Sequence, residues 1–144
     1  MALVGINHVA LEVGDLDDAL DFWERLFGPP TLRGRTAGMA FIDLGDQFVA
    51  LERGRRQAPD DHRHFGLVVD DKEAVRERAQ AMGLAAGAAG GHLRVSDPWG
   101  NNIEVVDYRE VQFTKAPSVL AGMGLDGIEK SERALAELRE KGLG

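Results

Sequence analysis

The sequence predicts an α+β fold made of two tandem βαβββ modules. Two stretches resemble each other: INHVALEV begins at Ile6, HRHFGLVV begins at His62, and an offset of 56 residues carries His8 onto His64. Each stretch alternates apolar and polar residues like a half-buried strand, and each is followed by aspartate and a helical pattern. The repeat therefore predicts a duplicated architecture with one histidine at the same place in each copy.

The first module begins with a strand over residues 5–13. Asp15 is then expected to cap a helix over 16–27, whose large apolar side chains recur on one face, and Gly28-Pro29-Pro30 ends it. The apolar strand and helix faces are expected to pack on each other. Three short strands complete the module, at 31–35, 39–44 and 47–53.

The second module follows a polar linker, residues 54–61. Its first strand has Phe65, Leu67 and Val69 on one face, and Asp70 or Asp71 caps a helix that runs through Met82. The strands that complete it are expected near 84–89, 91–96 and 101–107, with the glycine-rich stretch 87–91 as a flexible connection.

These elements divide the chain into a domain over 1–109 and a tail over 110–144. Module one covers about 4–53 and module two about 62–108. The tail has no counterpart in the first module, and good helix formers predict a helix over about 127–141. Its apolar stripe is partial, so we expect it to dock on the domain or on a second subunit.

Composition excludes several classes of partner and site. The net charge of −7 disfavours a nucleic-acid surface, and no apolar run approaches the roughly 20 residues that cross a bilayer. We expect a cytoplasmic protein without nucleic-acid or membrane partners. Because the chain has no cysteine, any metal must be held by histidine, carboxylate or water.

A third metal ligand emerges when the ends of the two modules are aligned. Residues 43–50 align with residues 97–104, so Glu104 is the counterpart of Ala50. Strand alternation places the Glu104 side chain on the same face as the repeated histidines. A lone histidine on a strand usually has a structural role, but two histidines at equivalent positions of a repeat favour metal binding. We predict that His8, His64 and Glu104 bind one divalent ion, leaving positions open for water and substrate.

Other polar residues are weaker candidates. His92 and Arg94 share a strand face, where His92 is suited to proton transfer and Arg94 to holding a substrate carboxylate; a solvated strand face is the alternative. Glu52 lies two residues after Ala50 and therefore on the same strand face. It is either a fourth metal ligand or a solvent-exposed residue at the end of the strand.

These motifs resemble the vicinal oxygen chelate superfamily, which includes glyoxalase I, extradiol dioxygenases and bleomycin-resistance proteins. The resemblance spans about residues 4–108 and is carried by INHVALEV, HFGLVVDD and DPWGNNIEVVD. It implies an incomplete eight-stranded barrel around a metal or ligand cavity, with His8, His64 and Glu104 as ligands. Ala50 stands where glyoxalase I has a further ligand, which counts against that activity unless Glu52 compensates.

The resemblance implies a metal-dependent enzyme whose small substrate chelates the ion through neighbouring oxygens. The His-His-Glu set is similar to that of extradiol dioxygenases and fosfomycin-resistance transferases, and we favour dioxygenase-like chemistry with Fe²⁺, otherwise Mn²⁺, Ni²⁺ or Zn²⁺. The alternatives are a glyoxalase-type lyase or isomerase and a metal-free binding protein of the bleomycin-resistance kind. Small members usually form dimers, so a homodimer is expected.

Overall fold

The computed structural model describes residues 1–144 and contains seven strands and four helices. The strands are β1 (His8–Val13), β2 (Leu32–Arg35), β3 (Met39–Asp43), β4 (Phe48–Arg53), β5 (His64–Val69), β6 (Leu93–Ser96) and β7 (Asn102–Asp107). The helices are α1 (Leu16–Phe27), α2 (Lys72–Ala81), α3 (Pro117–Gly122) and α4 (Glu132–Glu140). The α+β class and the two repeated modules are confirmed, with seven strands in place of the predicted eight.

The chain divides into two compact units. The first comprises Met1–Arg63 with Ser96–Asn101, and the second comprises His64–Val95 with Asn102–Gly144. No helix in either unit is both long and apolar enough to span a bilayer.

The first unit contains a four-stranded sheet in the order β1-β4-β3-β2. β1 runs parallel to β4, with His8 opposite Phe48 and Ala10 opposite Ala50. Helix α1 begins where predicted, because the side chain of Asp15 accepts a hydrogen bond from the backbone N–H of Asp18 at 2.9 Å. The buried face of α1 has apolar side chains at helical spacing: Leu16, Ala19, Phe22, Trp23 and Leu26.

The loop Ser96–Asn101 is part of the first unit and is fixed by buried polar groups. The carboxylate of Asp97 accepts from the backbone N–H groups of Trp99 and Asn101, at 3.0 and 2.9 Å. The Asn101 side chain accepts from Arg55 at 2.5 Å and donates to the carbonyl of Glu12 at 2.9 Å. The predicted linker 54–61 is thereby tied down through Arg55.

The second unit contains a three-stranded sheet in the order β5-β7-β6. β5 runs parallel to β7, so Gly66 lies opposite Glu104. Asp71 caps α2, since its carboxylate accepts from the backbone N–H of Ala74 at 3.0 Å.

The prediction of a strand at 84–89 is wrong, because no strand forms between α2 and β6. The strand predicted at 91–96 begins only at Leu93. The intervening segment is a loop whose carbonyl groups are bound by a buried arginine. Arg76, with a side chain only 2% exposed, donates to the carbonyls of Ala86 and Gly91, the latter at 2.7 Å. These bonds satisfy the loop backbone without a neighbouring strand.

The tail contains two helices within the second unit. α4 begins at Glu132, later than the expected 127, because Ser131 is the residue that caps it. Before it, the ammonium of Lys130 donates to the carbonyls of Tyr108 and Val111 at 2.6 and 2.8 Å. Its Nζ also lies 3.6 Å from the centroid of the Tyr108 ring, so Lys130 fastens the tail to the end of β7.

Candidate metal centre

Glu104 lies on the outward face of β7, between the buried side chains of Ile103 and Val105. Its carboxylate is about one-third exposed, and its Oε2 lies 3.4 Å from Nε2 of His64. Strand alternation explains the contact, because His64 and Gly66 share a face of β5 and Gly66 is in register with Glu104. Gly66 has no side chain to intervene between the two groups.

His92 approaches the other oxygen of the same carboxylate. Its Nδ1 lies 3.4 Å from Oε1 of Glu104, and its side chain is 96% exposed. The backbone before it is held by Arg76, whose guanidinium bonds the carbonyl of Gly91. His92 therefore combines a fixed backbone with an accessible imidazole, an arrangement suited to proton transfer.

The contact between His64 and Glu104 is compatible with two neighbouring ligands of one divalent ion. Ligand atoms bound at about 2.1 Å lie roughly 3.0–3.4 Å apart for octahedral to tetrahedral angles. The observed Nε2 to Oε2 separation of 3.4 Å falls at the upper end of that range. The structure gathers no group of three or more histidine and acidic side chains that would hold an ion. In the second unit, the two donor groups with a separation suited to a shared ion are therefore those of His64 and Glu104.

His8 lies on β1 in the first unit, with its ring held on two sides. Its Nδ1 lies 2.8 Å from the side-chain oxygen of Asn7, and because that oxygen only accepts, Nδ1 is the donor. The ring stacks on Phe48 with centroids 4.6 Å apart and planes 6° from parallel. A neutral imidazole that donates from Nδ1 to Asn7 has its Nε2 lone pair available, which is the form that binds metals.

The strand registers support the predicted equivalence of Ala50 and Glu104. Ala10 is opposite Ala50 in one parallel ladder, and Gly66 is opposite Glu104 in the other. Ala50 is buried at 2% exposure. Glu52 is exposed at the end of β4, opposite Glu12, so a second carboxylate faces it across the ladder.

Arg94 lies on β6 between the buried side chains of Leu93 and Val95, on the exposed face expected from alternation. His92 precedes this strand and Ser96 ends it, and both are also exposed. The predicted role of Arg94 toward substrate stays a prediction.

The second unit contains a cleft beside Glu104, and its tail-derived wall was not expected from the sequence. It has a volume of about 470 Å³ and is lined by Glu104 and His92 together with Lys72, Gln112 and Arg133. Residues from the tail contribute part of the wall, and no local pattern in the sequence indicated that. Both cations are paired, Lys72 with Glu110 at 3.6 Å and Arg133 with Glu137 at 3.3 Å.

Comparison with known proteins places this geometry in a family. A family model described as the glyoxalase/bleomycin resistance protein/dioxygenase superfamily matches residues 5–105. The glutathione transferase FosA of Serratia marcescens is 29% identical over 114 residues, covering 72% of this chain and 80% of that protein. An uncharacterised protein of Pseudomonas aeruginosa is 29% identical over 119 residues, covering 69% and 85%.

Solved structures show the same fold. The fosfomycin resistance protein FosX of Listeria monocytogenes superimposes with a TM-score of 0.59 at 16% identity, covering 74% of this chain and 94% of that one. A lactoylglutathione lyase of Agrobacterium tumefaciens gives 0.58 at 22% identity, covering 74% and 96%. With the family match spanning most of its length, this chain belongs to the glyoxalase/bleomycin resistance protein/dioxygenase superfamily.

Proposed function

We propose that the chain is a divalent-metal-dependent enzyme that binds a small substrate through two neighbouring oxygens. The observation that carries this proposal is the 3.4 Å approach of His64 Nε2 to Glu104 Oε2 on adjacent parallel strands. His8 is proposed as the third ligand because it is the repeat counterpart of His64 and has its Nδ1 engaged by Asn7.

The bound ion would supply Lewis acidity toward the substrate oxygens, or a site for oxygen activation. The protein supplies the surrounding groups. His92 is proposed to accept or deliver a proton beside the Glu104 carboxylate. Arg94, on the exposed face of the neighbouring strand, is proposed to hold a substrate carboxylate.

Two reaction classes follow from different observations. The His-His-Glu set with a nearby histidine favours extradiol-type cleavage of a catechol, for which Fe²⁺ is the proposed metal. Similarity to the glutathione transferase FosA favours transfer of glutathione to a small substrate. For this reaction Mn²⁺, Ni²⁺ or Zn²⁺ is the proposed metal. The first reaction consumes oxygen and the second consumes thiol, so the two are separable by assay.

Metal stoichiometry tests the site itself. The full chain, reloaded separately with iron, manganese, nickel and zinc, is expected to retain about one ion per chain by elemental analysis. His64→Ala, Glu104→Gln and His8→Ala are each expected to lower the affinity at least about tenfold. His62→Ala and Glu77→Gln are the matched controls, because each changes an exposed residue of the same type. Absence of stoichiometric metal under every loading would leave a metal-free binding protein.

The reaction class is tested with the preferred metal in place. Oxygen uptake with catechols supports the dioxygenase, whereas loss of glutathione in the presence of fosfomycin supports the transferase. Either activity is expected to fall in Glu104→Gln and to persist in Glu77→Gln.

A homodimer is also proposed, on the ground that related small proteins pair. Light scattering on the full chain is expected to give twice the 15.6 kDa chain mass. A mass of one chain at micromolar concentration would contradict it.

A further inference from the structure

Arg33 occupies an irregular position in β2. Leu32 pairs with Ile42 and Gly34 pairs with Phe41, so two steps along β2 match one step along β3. Arg33 is the extra residue of this β-bulge. Bulges interrupt strict alternation and redirect a side chain, and they are common beside functional sites.

The redirected guanidinium lies over an aromatic ring that also contacts a proposed metal ligand. The Cζ of Arg33 is 4.8 Å from the centroid of Phe48, the ring on which His8 stacks at 4.6 Å. Phe41 meets the same ring edge-on with centroids 5.9 Å apart, which fixes its orientation. Arg33 is therefore separated from His8 by a single, well-held side chain.

The charge of Arg33 is not neutralised within the chain. Its guanidinium forms no ion pair or hydrogen bond and is exposed to solvent. Arg35, two residues away, donates to Asp17 at 2.6 Å. The guanidinium of Arg33 is therefore available to an anion from outside the chain, and the ring of Phe48 beneath it supplies an apolar neighbour.

We infer that Arg33 is a specificity-determining residue that binds an oxyanionic group of the substrate. The substrate class is a small molecule with a carboxylate or phosphonate joined to an apolar or planar body. The oxyanion would accept hydrogen bonds from the guanidinium fork, and the body would contact Phe48 and Phe41. This inference rests on the proposed function for its reaction, because His8 on the same ring is a proposed ligand.

The test uses benzoate and phenylphosphonate as probes, with benzamide as the neutral comparison. Calorimetric titrations are made on the full chain, both zinc-loaded and chelator-treated, for the wild type, Arg33→Gln and Arg35→Gln. The wild type is expected to bind at least one oxyanion saturably, and Arg33→Gln to weaken that binding about tenfold or more. Arg35→Gln removes the same charge from the same strand and is expected to change it less than about twofold.

Metal content measured on the same samples separates this inference from the proposed function. A chain that holds no metal yet shows the Arg33 dependence would overturn the metal enzyme and keep the oxyanion site. Equal weakening in both variants, loss of zinc from Arg33→Gln, or no saturable oxyanion binding by the wild type would overturn the role of Arg33. The probe bound more tightly identifies the oxyanion.

Discussion

Gly66 on β5 lies directly opposite Glu104 on β7, on the sheet face that also carries His64. A Cβ added at Gly66 would meet no heavy atom within 4 Å, so the fold leaves open space beside the carboxylate. The glycine is therefore not required by packing. Instead, the lack of a side chain at position 66 lets the His64 imidazole approach the Glu104 carboxylate.

Side chains at position 66 are expected to separate stability from metal binding. Gly66→Ala should stabilise the fold by about 0.5 kcal/mol, because alanine has less freedom in the unfolded chain and suits a strand better. Gly66→Leu should remain folded and lower metal affinity about tenfold by crowding the pair. Thermal unfolding and metal titration check both. Gly38→Leu, also in open space, is the control, and equal loss of affinity there would contradict the explanation.

The repeat made much of this arrangement predictable. Period-two alternation and matched offsets reveal which positions share a face, so the equivalence of Ala50 and Glu104 followed from sequence and agrees with the two ladders. Structural features that depend on contacts between residues far apart in the sequence could not be predicted from such patterns. A charged residue on a helix suggests solvent, yet Arg76 is buried against the loop that was predicted as a strand. The β-bulge at Arg33 was likewise hidden, with Gly34 as its one weak local sign.

Removing the buried arginine tests whether the loop depends on it. Arg76→Ala leaves the carbonyls of Ala86 and Gly91 without their donor in a largely buried place, so the free energy of unfolding should fall by about 3 kcal/mol. Urea denaturation measures the loss. Arg78→Ala, exposed on the same helix, should change stability by less than about 0.5 kcal/mol. A similar loss in both variants would show that the hydrogen bonds from Arg76 to the loop carbonyls are not its cause, since alanine itself favours the helix.

Glu73 is expected to make the stability of the loop depend on pH. The backbone N–H of Gly90 donates to its carboxylate at 3.2 Å and lowers the pKa of Glu73 below its ordinary 4.5, partial desolvation opposes this, and Arg76 lowers it further. A carboxyl whose pKa is lowered on folding stabilises the fold above its unfolded pKa, and that contribution disappears as pH falls through the folded pKa. Glu73→Gln should therefore melt below the wild type near neutral pH, with the difference shrinking below about pH 4.5.

Melting temperatures measured from neutral pH down to about pH 3 follow this difference. Glu77→Gln is the control, because Glu77 is exposed on the same helix. Its melting temperature should parallel the wild type throughout. A constant gap between Glu73→Gln and the wild type across the acid range would contradict the assignment.

Gly100 is constrained in two ways at once, by its backbone angle and by its neighbour. Its φ is +84°, and a Cβ there would overlap with Cβ of Pro59. Gly54 shares only the first constraint, with φ of +116° and nothing within 4 Å. Gly54→Ala should therefore cost about 1–2 kcal/mol from backbone strain, whereas Gly100→Ala should cost about 3 kcal/mol or more from strain and overpacking together. Urea denaturation of both variants provides the comparison, and equal losses would show that Pro59 yields to the added methyl group. A shift of the 96–101 loop in Gly100→Ala would also displace Asn101, whose side chain links Arg55 to the carbonyl of Glu12. This displacement adds to the loss expected for Gly100→Ala.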